Sequence, residues 1–499
     1  MAIDVRYPIA ERRWTLFAAP ALVFVAAFAY PTLDAQMPAA PVYAIQGAKI
    51  VSAGTTIEKG NLVMRNGLIE DVGASVAIPA DAVVVEGANL TIYPGLIDMT
   101  NTTAVDPPRV AAAAAPAAAE AAPDGQGGGR GRGAAAAPPP TWADADRTRR
   151  DALLNPDFDA ASHVRYEGVE MQRLAAAGIT TLLAVPPSGL LKGESALVNV
   201  AAPPDDDDVS RVGAYRRGAV VIAAPVAQHV TFAAGRGGAG YPAALLGDVA
   251  FVRQAFYDAK WQKEARIWAD KHQDQARPVF EPALDALAPA LDRRMPVSFE
   301  AGEVREILRA LAMAKEFNLD PIVTGGIEAD QTVADLKAAH AKVILTVGSG
   351  NPAPGGRGGR DDTPVRVTRM QQNAPKVPAA LEKAGIPYAF ASEGGLAPSD
   401  LLRAAARAVR DGGLTPDQAL RALTVNAAKI AGADARVGTL AKGKIANLLV
   451  VEGDLFADPP HIRRVFVDGR PVNIDVPTGA PTPGGGRRGT TSDESRMAK

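Results

Sequence analysis

Tyr93-Pro94-Gly95-Leu96-Ile97-Asp98-Met99-Thr100-Asn101-Thr102 divides this chain into two kinds of pattern. Before it lie short apolar runs separated by glycines. After it, apolar runs alternate with longer amphipathic ones. A strand places alternate residues on one face. Thr100 and Thr102 therefore point two neutral hydroxyls the same way.

Working toward the N-terminus, Ala48-Lys49-Ile50-Val51, Asn61-Leu62-Val63-Met64, Leu68-Ile69-Glu70-Asp71-Val72 and Ala82-Val83-Val84-Val85 read as strands. Gly54, Gly60, Gly67 and Gly73 separate them, so an antiparallel meander is expected. The far end has the same character. Ala446-Asn447-Leu448-Leu449-Val450-Val451 and Ile462-Arg463-Arg464-Val465-Phe466-Val467 are strands, followed by the hairpin signal Asp468-Gly469. Residues 43–95 plus 433–475 are thus predicted to form one small β-sandwich built from both ends of the chain.

Toward the C-terminus the pattern changes. Thr180-Thr181-Leu182-Leu183-Ala184-Val185, Pro296-Val297-Ser298-Phe299, Pro321-Ile322-Val323, Lys342-Val343-Ile344-Leu345-Thr346-Val347 and Pro387-Tyr388-Ala389-Phe390-Ala391 are strands. Helices stand between them, one over 303–317 with Val304, Ile307, Leu308 and Leu311 on one face, and another carrying the stripe Leu245, Val249, Val252 and Phe256. Alternation of this kind implies a parallel sheet with crossover helices. Thr415-Pro416-Asp417-Gln418 opens a late helix with an N-cap, a proline at the first position and a closing glutamine. The predicted class is α/β, a TIM-like (β/α)8 barrel over 96–432 joined to the sandwich.

Composition narrows the partners. The chain has 499 residues, 47% hydrophobic and 22% charged, with a formal net charge of -2. That charge gives no electrostatic case for nucleic acid. There are no cysteines, which excludes disulfides, thiolate metal sites and a cysteine nucleophile. The five histidines are His163, His229, His272, His340 and His461, and no two have a local metal-binding spacing. Residues 1–35 read as a signal peptide or N-terminal anchor: Arg6, Arg12 and Arg13, then an uncharged apolar run, then Ala27-Phe28-Ala29. The expected location is extracytoplasmic, in a bacterial periplasm, with membrane contact only through that segment if it stays uncleaved. Residues 107–145, rich in Ala, Pro and Gly, and the tail 476–499 are expected to be disordered. Asp205 to Asp208 lacks calcium-loop spacing and reads as a surface loop.

Three features now carry a family resemblance: the opening motif, Leu414 through Lys429, and the run Val437-Gly438-Thr439-Leu440-Ala441-Lys442-Gly443-Lys444-Ile445-Ala446-Asn447-Leu448. Together they resemble the amidohydrolase superfamily, in its imidazolonepropionase-like or dihydroorotase-like branch. The resemblance implies hydrolysis of non-peptide carbon–nitrogen bonds of cyclic amides, with one or two divalent ions activating a water. It also implies a His-x-His pair after the first barrel strand, where this chain carries Thr100 and Thr102. It sets Glu300 at a strand-end histidine position, and Glu393 where an aspartate follows the last strand. The expected reading is a catalytically impaired protein or pseudoenzyme with no cofactor. The alternative is an active hydrolase with a carboxylate-rich site, holding zinc, manganese or iron.

Glu300 and Glu393 are the catalytic candidates, as a general acid/base pair or as weak ligands of a hard cation, unless they are salt-bridged rim residues. Thr100, Thr102, Ser195 and His229 are the substrate-binding candidates. Ser195 sits in a glycine-bearing loop after a strand, without a nucleophile-elbow context. His229 is a pocket-lining residue or a satisfied structural one. Asp98 reads as a structural hydrogen-bonding group. Expected partners are a small cyclic amide or peptide-like ligand and an active amidohydrolase paralogue.

Overall fold

The computed structural model describes residues 41–52, 54–108, 142–165, 168–200, 221–233, 241–346, 364–392, 394 and 398–475. Residues 1–35, 109–141, Asp205 to Asp208, Glu393 and the tail 476–499 lie outside the described residues. The helix Trp142–Leu153 begins inside the stretch expected to be disordered.

The strands are β1 (Val42–Ser52), β2 (Thr55–Arg65), β3 (Leu68–Gly73), β4 (Ala82–Glu86), β5 (Leu90–Pro94), β6 (Leu96–Asn101), β7 (Ile179–Ala184), β8 (Leu191–Glu194) and β9 (Ala196–Asn199). They continue as β10 (Val221–Ala223), β11 (Gln228–Thr231), β12 (Val297–Ala301), β13 (Pro321–Gly325), β14 (Lys342–Thr346), β15 (Tyr388–Ala391), β16 (Leu448–Glu452), β17 (His461–Val467) and β18 (Arg470–Val472).

Both ends of the chain build one eight-stranded sheet, in the order β18-β17-β16-β5-β1-β2-β3, with β4 also on β1. The expected meander holds for β1, β2 and β3. It fails for β4 and β5, which pair with β1 in parallel along successive lengths of its free edge. No tight turn joins β3 to β4, so the chain crosses to that edge instead of folding back. At Asp468 and Gly469 φ is 53° and 69°, the left-handed pair that a two-residue hairpin needs. Ile45, Leu62, Met64, Ile92, Leu448, Val450 and Phe466 pack as the core of this sheet.

The remaining strands form two sheets. One runs β10-β9-β7-β6 and the other β15-β14-β13-β12-β11-β8. From β11 to β15 every pairing is parallel, as is β6 with β7. The uniform parallel expectation breaks at β8 and β9, which run antiparallel to β11 and β7. Residues 185–195, β8 included, separate β7 from its partner β9. A parallel pair needs a crossover of about a dozen residues or more, so this short link favours the antiparallel pairing.

The two sheets meet at both edges. Ser195 alone separates β8 from β9, so one strand run passes from one sheet to the other. At the other edge, Ser392 after β15 donates its backbone N–H to Asp98 Oδ1 on β6 at 2.8 Å. Helices cover the outer face. The helix Val304–Glu316 buries Ile307, Ala310, Leu311 and Met313, while Leu308 is exposed. The helix Leu245–Lys271 buries Val252 and Phe256 but leaves Leu245 exposed.

Gly95 and Asn447 lock the end-built sheet to the central strands. A Cβ on Gly95 would lie 2.0 Å from Thr180 Oγ1, so no side chain fits. Gly95 N donates to Asn447 O at 2.9 Å. The buried Asn447 amide donates to Thr181 Oγ1 and Asn199 Oδ1, at 3.0 and 2.7 Å, and its oxygen accepts from Asp468 N at 2.9 Å.

Candidate functional site

Register decides which side chains share the inner face. Paired residues on neighbouring parallel strands point the same way. His229 is level with Ser298, Thr231 with Glu300, Glu300 with Thr324, Thr324 with Ile344, and Thr346 with Ala391. The apolar residues of this face include Ile97, Met99, Leu183, Ile322, Ile344 and Ala389, which pack together. Toward the C-terminal ends of the strands the face turns polar, with Thr231, Glu300, Thr324 and Thr346. Parallel α/β folds place their functional side chains at this end.

Among the described residues of that end, an ion pair supplies the charge. Lys192 Nζ bonds Glu300 Oε1, with the lysine side chain 9% exposed and the glutamate 35% exposed. Lys192 lies where the β8–β11 register shifts between Gly193 and Leu191. Such a bulge re-aims a side chain. Sequence reasoning missed Lys192. Its signal was a single charge after the apolar pair Leu190-Leu191, next to Gly193 with φ 117°.

His229 is fully buried, and among the described residues neither ring nitrogen has a hydrogen-bond partner. Burial, aided by the Lys192 charge, pushes its pKa down to about 3, so the ring is neutral. By register His229 lies on the inner face, level with Ser298.

The two threonines make local bonds. Thr100 Oγ1 donates to Met99 O at 2.7 Å, and Thr102 Oγ1 donates to Gly394 O at 3.4 Å. Asp98 between the sheets accepts from Ser392 N, Ser392 Oγ and Thr100 N, at 2.8, 2.5 and 3.3 Å. Burial pushes its carboxyl up to about 6, against the pull of those hydrogen bonds. Its geometry is that of a structural clamp.

Ser195 is fully buried, and its Oγ donates to Ala227 O at 3.3 Å. It marks the sheet switch and presents nothing to solvent. His163 is exposed at the end of the turn Ala160–Ser162, stacked on Phe158, with Nδ1 2.9 Å from Asp159 O. Glu393 falls outside the described residues; of its neighbours, Gly394 O accepts from Thr102 N at 3.1 Å.

Zinc, manganese or iron would need several imidazole or carboxylate donors converging on one point. Here Thr100 and Thr102 supply hydroxyls, and the Lys192 ammonium occupies Glu300. That ammonium also repels a second cation near His229. Among the described residues, no three His, Asp or Glu side chains come close enough to hold a metal ion. These side chains do not fit the divalent metal that the resemblance implies.

Residues 322–475 match the sequence model of the Amidohydrolase family. No curated protein matches the chain. The fold is similar to that of an amidohydrolase from Thermotoga maritima MSB8, at 19% identity and a TM-score of 0.64, covering 86% of this chain and 99% of that one. A prolidase complexed with N-methylphosphonate-L-proline is 16% identical, with a TM-score of 0.49 and coverage of 86% and 99%. The segment from β13 to the end of the described chain thus carries an amidohydrolase-family sequence on a mixed α/β fold shared with an amidohydrolase.

Proposed function

We propose that this protein is an exported relative of the amidohydrolases that binds a small cyclic amide or peptide-like ligand and has lost metal-dependent hydrolysis. The observation that carries this reading is the Lys192–Glu300 ion pair on a strand-end face that also carries the hydroxyls of Thr231, Thr324 and Thr346. An ammonium neutralises the one described carboxylate that the resemblance sets at a metal-ligand position. Thr100 and Thr102 stand where the resemblance implies the His-x-His pair.

A closed eight-stranded barrel is part of the proposal. β6, β7, the β9–β8 run and β11 through β15 supply eight strand positions. The Ser195 switch and the Asp98–Ser392 bonds support closure, as does the likeness to the Thermotoga maritima amidohydrolase. Export rests on the basic-then-apolar pattern of residues 1–35. Among the described residues, no helix is long and apolar enough to cross a membrane.

The test is a hydrolysis and binding screen of cyclic amides with the full chain, with and without added zinc, manganese or iron. Saturable binding without turnover in every metal condition is expected. Metal-stimulated hydrolysis abolished by Glu300→Gln or Glu393→Gln would replace this reading with that of an active carboxylate-based hydrolase.

A further inference from the structure

We propose that Lys192 and Glu300, with His229 below them, form a binding site for the cis-amide edge of a cyclic amide. The Lys192 ammonium donates to the ring carbonyl, and the Glu300 carboxylate accepts the ring N–H. This site presupposes the ligand-binding reading above and gives it a chemistry.

Unused hydrogen-bonding capacity at the pair points to a ligand. An ammonium has three donors, and Glu300 takes one. The Lys192 side chain is almost entirely buried, so bulk water does not freely serve the others. A buried ion pair is favourable only when its remaining protons and lone pairs are also bonded. His229 adds two polar atoms with no partner among the described residues, on the same face, two residues nearer the strand starts than the Thr231–Glu300 level. A neutral imidazole offers one donor and one acceptor.

Access and charge select the ligand. The pair reaches solvent through Glu300, near the C-terminal end of β12. Its net charge is zero, so a neutral polar group fits better than a free carboxylate or an ammonium. Donor and acceptor stand side by side. A lactam ring holds C=O and N–H cis, on one edge, and matches that arrangement. An ordinary trans peptide puts them on opposite sides and does not.

The experiment titrates the full chain with pyrrolidinone and with N-methylpyrrolidinone, which keeps the carbonyl but lacks the N–H, by ligand-observed NMR. The same titrations use Lys192→Met and the double variant Lys192→Met/Glu300→Leu, which leaves no orphaned charge. Pyrrolidinone is expected to bind the wild type at least about tenfold more tightly than its N-methyl analogue, and the double variant to lose about tenfold in affinity. Equal affinity for the two compounds overturns the site, and this arm needs no variant to fold. A folded double variant that binds as the wild type does also overturns it. In either case lactam binding itself would survive, whereas a wild type that binds no cyclic amide would bring down the ligand-binding reading as well.

Discussion

Asp98 and His229 are buried titratable groups on the central strands, and they pull stability in opposite directions with pH. Burial raises the Asp98 pKa from 3.8 to about 6. Between those values the folded chain holds more protons than the unfolded one, so stability falls as pH rises. The shift corresponds to a cost of about 3 kcal/mol for the charged carboxylate. His229 is lowered from 6.5 to about 3, so the unfolded chain holds more protons in that range and stability rises with pH. In the wild type the two slopes oppose each other from about pH 4 to about pH 6. Asp98→Asn is expected to leave the rising slope alone, so its stability climbs more steeply over that window. His229→Phe is expected to leave the falling slope, with stability greatest at the acid end. The Phe variant orphans no partner among the described residues. Urea denaturation across pH measures both, and variant profiles parallel to the wild type would refute these assignments.

At the scale of elements, the features confined to a few consecutive residues were legible in the sequence. Thr415 Oγ1 accepts from Gln418 N, and Gln418 Oε1 accepts from Thr415 N, as the motif foretold. Thr415→Ala is expected to lower the urea-derived stability by about 1 kcal/mol, and no change in midpoint would contradict the cap. Strand direction was less legible. β4 read as a strand and the β8–β9 segment as a loop, yet their partners and polarity depend on link lengths and on edges made elsewhere. Ser195 looked like a mouth residue because a strand precedes its glycine-bearing loop; in the fold that segment is itself strand, and Ser195 is sealed between two sheets. Ser195→Ala is therefore expected to leave ligand affinity unchanged, and a loss of affinity in isothermal titration would restore it to the site. Lys192 was invisible for a related reason. Its partner Glu300 lies 108 residues away, and no local pattern announces such a pair.

Across the whole molecule, the end-built sheet and the central strands are joined by polar contacts that the sequence showed only as a motif. The Ala446-Asn447-Leu448 pattern is where a buried amide serves Thr181, Asn199 and Asp468 together. Asn447→Ala leaves those groups unpaired, and each orphaned buried group costs about 1 to 3 kcal/mol. A loss of several kcal/mol in urea denaturation is expected, and a loss under about 1 kcal/mol would mean that the joint carries little. Buried polar joints thus tie the sheets together, while the described strand ends carry threonines and an ion pair. Elemental analysis of the protein, purified without chelators and then incubated with zinc, manganese or iron, tests that account most directly. Metal well below one ion per chain, not raised by incubation, is the expected result. Near-stoichiometric metal would contradict it and reveal a ligand set that the described residues do not provide.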